Sequence, residues 1–252
     1  MSHLRHIPSF QSGLARCADE CLYPTLWDRL TAWWDPGVGP TGTVLKNYST
    51  HGPVFDGVFA GANLPSWQLV DSLGWVLRYS GAGDCRVSLS TDTRLQLTSG
   101  GTWTVAGWVR PAEAAADGVV YSKHDDLGAL GVRGSSLYWT NNNVVTAYGN
   151  TTWNKAYSDA VFTDSQAWCH TAAVCEGSSV TFYRNGVHAG SHGNSSWTDN
   201  GTAIACIGCM SKGWHEFEGD IGPLGLWAQR ALKPADVMLL ATDPHALVRL
   251  AG

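Results

Sequence analysis

Three carboxylates recur at every second position in His215-Glu-Phe-Glu-Gly-Asp220: Glu216, Glu218 and Asp220. A strand places such residues on one face, and glycoside hydrolysis needs two carboxylates about 5–9 Å apart flanking the scissile bond. The interleaved Phe217, Gly219 and Ile221 carry the apolar phase, so the pattern turns the acids away from the core and onto a solvated face. His124-Asp125-Asp126 is a second cluster. It can bind a metal or a hydroxyl-rich ligand, or it can form a polar turn after Tyr121-Ser-Lys123. Cys17-x3-Cys21 and Cys206-x2-Cys209 have spacings from which four thiolates can hold zinc; the alternative is that these cysteines are small apolar filler. No Gly-x-Ser-x-Gly, phosphate loop or zinc-protease motif occurs, and the chain reads as non-enzymatic, with no catalytic residues, no metal and no cofactor expected.

Ligand binding has better-placed residues. Among the 13 tryptophans, Trp139, Trp153, Trp197 and Trp214 fall in or beside loops. Exposed indoles stack on sugar rings or anchor protein interfaces, although they can also pack a loop onto a scaffold. With Asn141 of the loop Asn141-Asn-Asn143 and with His124, Asp125 and Asp126, they form the candidate ligand-binding set. Trp103, Trp108, Trp168, Trp227 and Trp75 fall in strands and read as core.

These residues need a scaffold, and composition points to strands. The chain has 252 residues, 44% hydrophobic and only 15% charged, with 29 glycines and a formal net charge of −5. That is apolar enough for a real core and too weakly charged for disorder. Without a Lys/Arg stripe, a nucleic-acid surface is not expected. Thr102 to Val109 alternates, with Trp103, Val105, Gly107 and Val109 on one face and Thr104, Ala106 and Trp108 on the other, so both faces are expected to be covered. Short strands are expected at Leu30–Trp34, Gly118–Ser122, Ala129–Arg133, Ser136–Thr140 and Ala203–Ile207. Gly134-Ser135 is expected as a hairpin turn and Gly149–Lys155 as a polar loop. Trp75–Tyr79 and Cys85–Leu89 flank a turn, Ser80-Gly-Ala-Gly-Asp84. Trp168–Cys175 and Ser179–Arg184 form a hairpin around Glu176-Gly177-Ser178, and Asn185-Gly186 signals a type I′ turn. Phe217–Ile221 and Leu224–Trp227 close the strand set. Pro234, Asp236, Val237, Leu240 and Ala241 predict one helix, stopped by Asp243-Pro244.

Four segments together resemble the laminin-G-like, concanavalin A-like jelly-roll domains of bacterial and phage proteins. They are Trp75-Val-Leu-Arg-Tyr-Ser-Gly81 with Cys85-Arg-Val-Ser-Leu89, and Thr102-Trp-Thr-Val-Ala-Gly-Trp-Val-Arg-Pro111. The third is Trp168-Cys-His-Thr-Ala-Ala-Val-Cys-Glu-Gly177 with Val180-Thr-Phe-Tyr-Arg-Asn-Gly186, and the fourth Phe217-Glu-Gly-Asp-Ile221 with Leu226-Trp-Ala-Gln-Arg-Ala-Leu232. The resemblance spans residues 27–245. Gly13-Leu-Ala-Arg16 and Asp243-Pro-His-Ala-Leu247 are similar to extensions on phage-type members. Related glycan-active sandwiches often carry an acid after the closing isoleucine, where calcium binds; here Gly222-Pro223 stands there, so the resemblance carries no calcium site over.

The expected architecture is all-β: a two-sheet antiparallel jelly-roll sandwich over 26–232, an N-terminal arm over 1–25, and a short C-terminal helix and tail over 233–252. The expected function is a non-enzymatic structural or interaction module, a bacteriophage surface, decoration, fibre or tail-associated protein with glycan adhesion. A free-standing carbohydrate-binding lectin is the alternative, and a degenerate glycosidase stands behind both. Expected partners are other virion proteins, copies of itself or cell-surface glycans, not nucleic acid and not an inserted membrane segment. Without an apolar leader segment at the N-terminus, the expected location is the host cytoplasm and then the virion.

Overall fold

The computed structural model describes residues 16–18, 23–112, 118–126, 132–140, 143–149, 153–157, 166–193, 201–210 and 215–250. At 16–18, 124–126, 132–140, 143–149, 153–157, 249 and 250 the description is of the backbone. In chain order the strands are β1 (Arg16–Ala18), β2 (Ala32–Trp34), β3 (Val44–Leu45), β4 (Gly57–Ala60), β5 (Ser66–Val70), β6 (Gly74–Ser80), β7 (Arg86–Ser88), β8 (Thr102–Pro111) and β9 (Gly118–Asp126). They continue with β10 (Val132–Thr140), β11 (Asn143–Gly149), β12 (Trp153–Tyr157), β13 (Cys169–Glu176), β14 (Ser179–Arg184), β15 (Val187–Gly193), β16 (Cys206–Ile207), β17 (Glu218–Trp227) and β18 (Val248–Leu250). Helix α1 is Pro24–Trp27 and α2 is Pro234–Thr242. One sheet runs β12-β11-β10-β9-β16-β7-β4-β3, the other β15-β14-β13-β8-β17-β6-β5, with β2 also on β17. All their pairings are antiparallel, as the sequence predicts for a two-sheet sandwich.

The core between the sheets holds Trp34, Tyr79, Trp103, Val105, Tyr121, Phe182, Phe217, Ile221, Leu224 and Leu226. Trp34 Nε1 donates to the Phe55 carbonyl at 2.8 Å while its ring stacks near Tyr121. A second apolar layer lies on the outer face of the β8/β17 sheet, where Leu26, Trp33, Ala106, Ala172, Trp227, Val237 and Leu240 meet. Alternation in β8 therefore feeds two layers, as its sequence implies. Helix α2 begins at Pro234 and presses Val237 and Leu240 onto this face. Trp108 Nε1 donates to the Leu240 carbonyl at 3.2 Å. Asn47, whose Asn-Tyr-Ser context mimics a glycan acceptor, is buried and accepts from the Trp33 backbone N–H at 2.9 Å.

The β13–β14 hairpin turns at Gly177-Ser178, and Asn185 and Gly186 have φ of 48° and 80°, the type I′ turn their pairing predicts. The two predicted closing segments are one strand. In β17, Ile221 faces Val109 and Leu224 faces Gly107, so Gly222-Pro223 opposes Trp108 alone. This bulge resets the alternation, and both Ile221 and Leu224 reach the core. Before it β17 pairs with β6; after it, with β2.

Other expectations are corrected. His124, Asp125 and Asp126 are not a turn: β9 continues through them because β10 supplies partners, Gly134 opposite His124 and Arg133 opposite Asp125. Gly134-Ser135 is accordingly mid-strand, paired on both sides. Trp153 to Lys155 belong to β12, not to a loop, because β11 pairs with them. Trp75–Tyr79 and Cys85–Leu89 do flank a turning segment, and the strands on its two sides, β6 and β7, lie in different sheets. Gly81, Gly83 and Asp84 all have positive φ and carry the chain across between them. At the termini, β1 pairs antiparallel with β18, so described parts of the arm and the tail meet each other. Leu4, Ile7, Phe10 and Leu14 of the arm lie outside the described residues.

Two outcomes test this packing. Phe182 is fully buried, and Phe182→Ala should cost about 3–5 kcal/mol in denaturant unfolding; a cost near zero would mean the β13–β14 hairpin is misplaced. His170 is buried against Trp108, its Nδ1 has no partner among the described residues, and burial lowers its pKa to about 3. The unfolded chain takes up this proton near pH 6.5 and the folded one only near 3, so acid favours unfolding across that window. Stability should fall as pH drops from about 6.5 towards 3, by up to roughly 1.4 kcal/mol per pH unit from this group. His170→Leu should flatten that slope; an unchanged slope would remove His170 from the acid response.

Candidate functional site

The bulge in β17 divides the outer face of its sheet. Beyond Gly222-Pro223 the face is roofed by α1, α2 and their apolar neighbours. On the near side it is polar and open. Here the register sets one row across four strands: Ser66 of β5 opposite Arg78 of β6, Arg78 opposite Asp220 of β17, and Asp220 opposite Arg110 of β8.

Asp220 is the centre of the row. Arg78 donates Nε to Oδ1 at 2.8 Å and Nη2 to Oδ2 at 3.1 Å. Arg110 donates Nε and Nη2 to Oδ2 at 2.8 and 2.5 Å. The guanidinium carbon of Arg110 also lies 5.0 Å from the Trp168 ring centroid, a cation–π contact. The Asp220 side chain is only 3% exposed, whereas Arg78 keeps 49% and Arg110 26%. The carboxylate is thus a buried clamp holding two partly exposed cations. The hydrogen bonds to Asp220, and then its charge, push the Arg78 pKa further up. Both arginines bind through Nε and Nη2, leaving their Nη1 groups without a hydrogen-bond partner among the described residues. A groove of about 600 Å³ opens over the row, lined by Arg78, Arg110, Ser66, Ser80, Gln166 and Glu218 among others.

This corrects the solvated-face expectation in part. Glu218 and Asp220 do face away from the core, and Glu218 is exposed, but Asp220 is buried beneath its two partners. Glu216 accepts from the Asp84 backbone N–H at 3.3 Å. The three acids therefore do not act as a set.

The predicted ligand-binding residues lie elsewhere. Trp153, Gly149, Gly134 and His124 form one cross-strand row in the opposite sheet, next to Asp125 and Asp126. Trp139 is at the far end of β10, opposite Gly118 and Val144, so the structure does not bring it to that row. Asn141, Trp197 and Trp214 lie outside the described residues. Arg78, Arg110, Gln166 and Trp168 are the site residues that the loop-aromatic reasoning missed. A signal was present: each arginine occupies an outward position of a strand in the same sheet as the outward acid of Phe217–Ile221.

Cys85, Cys169, Cys175, Cys206 and Cys209 are buried and form no disulfide among the described residues. A hydrogen bond to Cys206, with burial next, pushes the Cys209 thiol well up. Among the described residues no group of three or more His, Cys, Asp or Glu is placed to hold a metal. Cys21 lies outside them.

Residues 66–238 match the family model described as the concanavalin A-like lectin/glucanases superfamily. No curated protein matches the chain by sequence. Among solved structures, the binding domain of Paraclostridial mosquitocidal protein 1 aligns with a TM-score of 0.64 at 14% identity, over 87% of this chain and 53% of that one. The chain thus spans about half the length of that binding domain. Domain 4 of AbnA, a GH43 extracellular arabinanase from Geobacillus stearothermophilus in complex with arabinotriose, aligns with 0.62 at 20% identity, over 84% and 98%. The CBM40 of Ruminococcus gnavus IT-sialidase, bound to α2,3-sialyllactose, aligns with 0.51 at 14% identity, over 66% and 96%. At these identities the likeness is one of fold.

Asp220→Asn should lose about 2–3 kcal/mol of stability in denaturant unfolding, below the cost of breaking a fully buried ion pair because Arg78 remains half exposed. A loss under about 0.5 kcal/mol would show that the carboxylate does not hold the row together.

Proposed function

The chain belongs to the concanavalin A-like lectin/glucanase superfamily, and from that premise we propose that it is a non-enzymatic binding module. Its groove over Arg78 and Arg110 takes an oxygen-rich ligand, a glycan or a glycosylated receptor. The observation that carries this reading is the commitment of Asp220. Its two oxygens accept four N–H hydrogen bonds from two arginines, so it is neither a free base nor a proton donor beside Glu218. What the clamp leaves available is donors: the Nη1 groups, the Ser66 hydroxyl and the Gln166 amide, while the Ser80 hydroxyl already donates to the Ala82 carbonyl at 3.0 Å. Donors held in place on strands suit the recognition of sugar oxygens at little entropic cost. The arabinotriose and sialyllactose bound to two proteins of similar fold support the ligand class.

The finer reading is that the module works on a bacteriophage particle, as a surface, fibre or tail-associated component made in the host cytoplasm. Its support is the similarity of Gly13–Arg16 and Asp243–Leu247 to extensions on phage-type members. The free-standing lectin is the alternative, and the two differ in assembly, not in the groove.

A glycan array probed with the purified chain should give discrete binders, and Arg78→Ala with Arg110→Ala should weaken them at least tenfold while the circular dichroism spectrum stays β-rich. Binders untouched by the double substitution would move the site elsewhere, and cleavage of any array glycan would overturn the non-enzymatic reading. Sedimentation separates the settings: ordered self-assembly fits the particle component, and a monomer fits the lectin.

A further inference from the structure

The groove over β17 is rich in donors and poor in acceptors. Its charged lining, among the described residues, is Arg78, Arg110, Asp220 and Glu218. Asp220 has the chemistry to accept from a ligand hydroxyl, but it is buried and its oxygens are already taken by four N–H groups. Ser66 Oγ accepts from Gln68 Nε2 at 3.5 Å, which leaves its own proton to donate. The principal acceptors left to a ligand are the Glu218 carboxylate and the Gln166 side-chain carbonyl.

Glu218 stands apart from the row. It lies opposite Ser80, two residues along the ladder from the Asp220–Arg78 pair. Its side chain packs over Gly81, where a Cβ would sit 2.7 Å from Glu218 Cβ and 3.2 Å from Oε2. Both arginines direct their ion pairs to Asp220 instead. Two guanidinium charges over a single carboxylate leave the centre of the row with a positive charge in excess.

The arginines also have a free edge of the right shape. Asp220 takes the Nε–Nη2 edge of each guanidinium. The other edge, Nη1 with the second Nη2 hydrogen, is a further planar fork, and such forks match the paired oxygens of a carboxylate or sulfate. A ligand can reach both groups, since both line the groove and keep part of their surface open. A sugar hydroxyl on this fork would bring a proton that needs an acceptor of its own. A carboxylate or sulfate ester accepts without donating, and its charge-assisted hydrogen bonds are roughly twice as strong as neutral ones. The Trp168 ring beside Arg110 shields that guanidinium from water, which strengthens its attraction for an anion.

We propose that the groove selects an acidic sugar, one bearing a carboxylate or a sulfate ester, whose anionic group sits on the outer guanidinium edges of Arg78 and Arg110 while its hydroxyls reach Glu218 and Gln166. This selectivity rests on the groove being the glycan-binding site. Glu218 then has a double effect on the ligand: its oxygens accept from hydroxyls, and its charge repels the anion.

The test is an array of neutral, uronate-bearing, sialate-bearing and sulfated glycans, followed by calorimetry of the full chain with the strongest binder and its neutral counterpart. The counterpart is the carboxyl methyl ester for a uronate or sialate and the unsulfated parent for a sulfated glycan, so the two arms identify which anion is read. Binders that Arg78→Gln weakens should be acidic, and neutralising them should weaken binding about tenfold or more. Arg78→Gln leaves Arg110 on Asp220, so the carboxylate stays paired if the double alanine variant fails to fold. Glu218→Gln keeps an acceptor oxygen and removes the repulsive charge; it should tighten binding of the acidic glycan about twofold or more. Neutral glycans among the binders that need Arg78, a neutral counterpart that binds as tightly as the acid, or a Glu218→Gln chain that fails to tighten would each overturn the acidic selectivity and leave the groove as a glycan site. Binders indifferent to Arg78→Gln, or an array without binders, would overturn the groove itself and this selectivity with it.

Discussion

At Gly222-Pro223 the central strand carries one residue more than its neighbour, and the division of the outer face depends on that residue. Without the bulge, Leu224 and Leu226 would turn outward and Gly225 and Trp227 inward, reversing both layers. Pro223 has no N–H to offer the ladder, and Gly107, opposite Leu224, has no side chain in the way; a Cβ there would sit 2.6 Å from the Leu224 side chain and 3.0 Å from the Pro223 carbonyl. At the same point β17 exchanges β6 for β2. The apolar roof of α1 and α2 covers one side of this point, and the polar row of Arg78, Asp220 and Arg110 occupies the other.

The polar row then has a simple electrostatic logic. A single buried aspartate under two arginines leaves the row cationic, and burial is tolerable because each carboxylate oxygen is hydrogen-bonded. Trp168 gives Arg110 a further support. The guanidinium groups are therefore fixed in direction while their outer edges remain free, and that combination suits a binding surface better than a catalytic one. The exposed Glu218 at the rim tempers the charge and adds an acceptor for hydroxyls.

Much of the fold was legible because its signals are local. Alternation in Thr102–Val109 announced two covered faces, Asn185-Gly186 announced its turn, and Pro234 with Asp236 announced α2. The errors arose where pairing partners decide. Gly134-Ser135 looks like a turn in isolation, yet its neighbours on both sides hold it extended. His124-Asp125-Asp126 looks like a polar loop, yet β10 extends β9 through it. The site was less legible for the same reason. Arg78, Arg110 and Asp220 are distant in sequence and meet only through strand register, and loop tryptophans gave the more conspicuous signal. Outward phase was read correctly for Asp220, but phase does not reveal that two arginines will close over it.

The most direct measurement is a crystal structure of the chain with the strongest glycan found on the array. If the open side of the β17 sheet is the binding face, ligand density will lie over Arg78, Arg110 and Gln166, with Asp220 still clamped beneath them. Density confined to the opposite sheet, near the row of Trp153 and His124, would contradict the account.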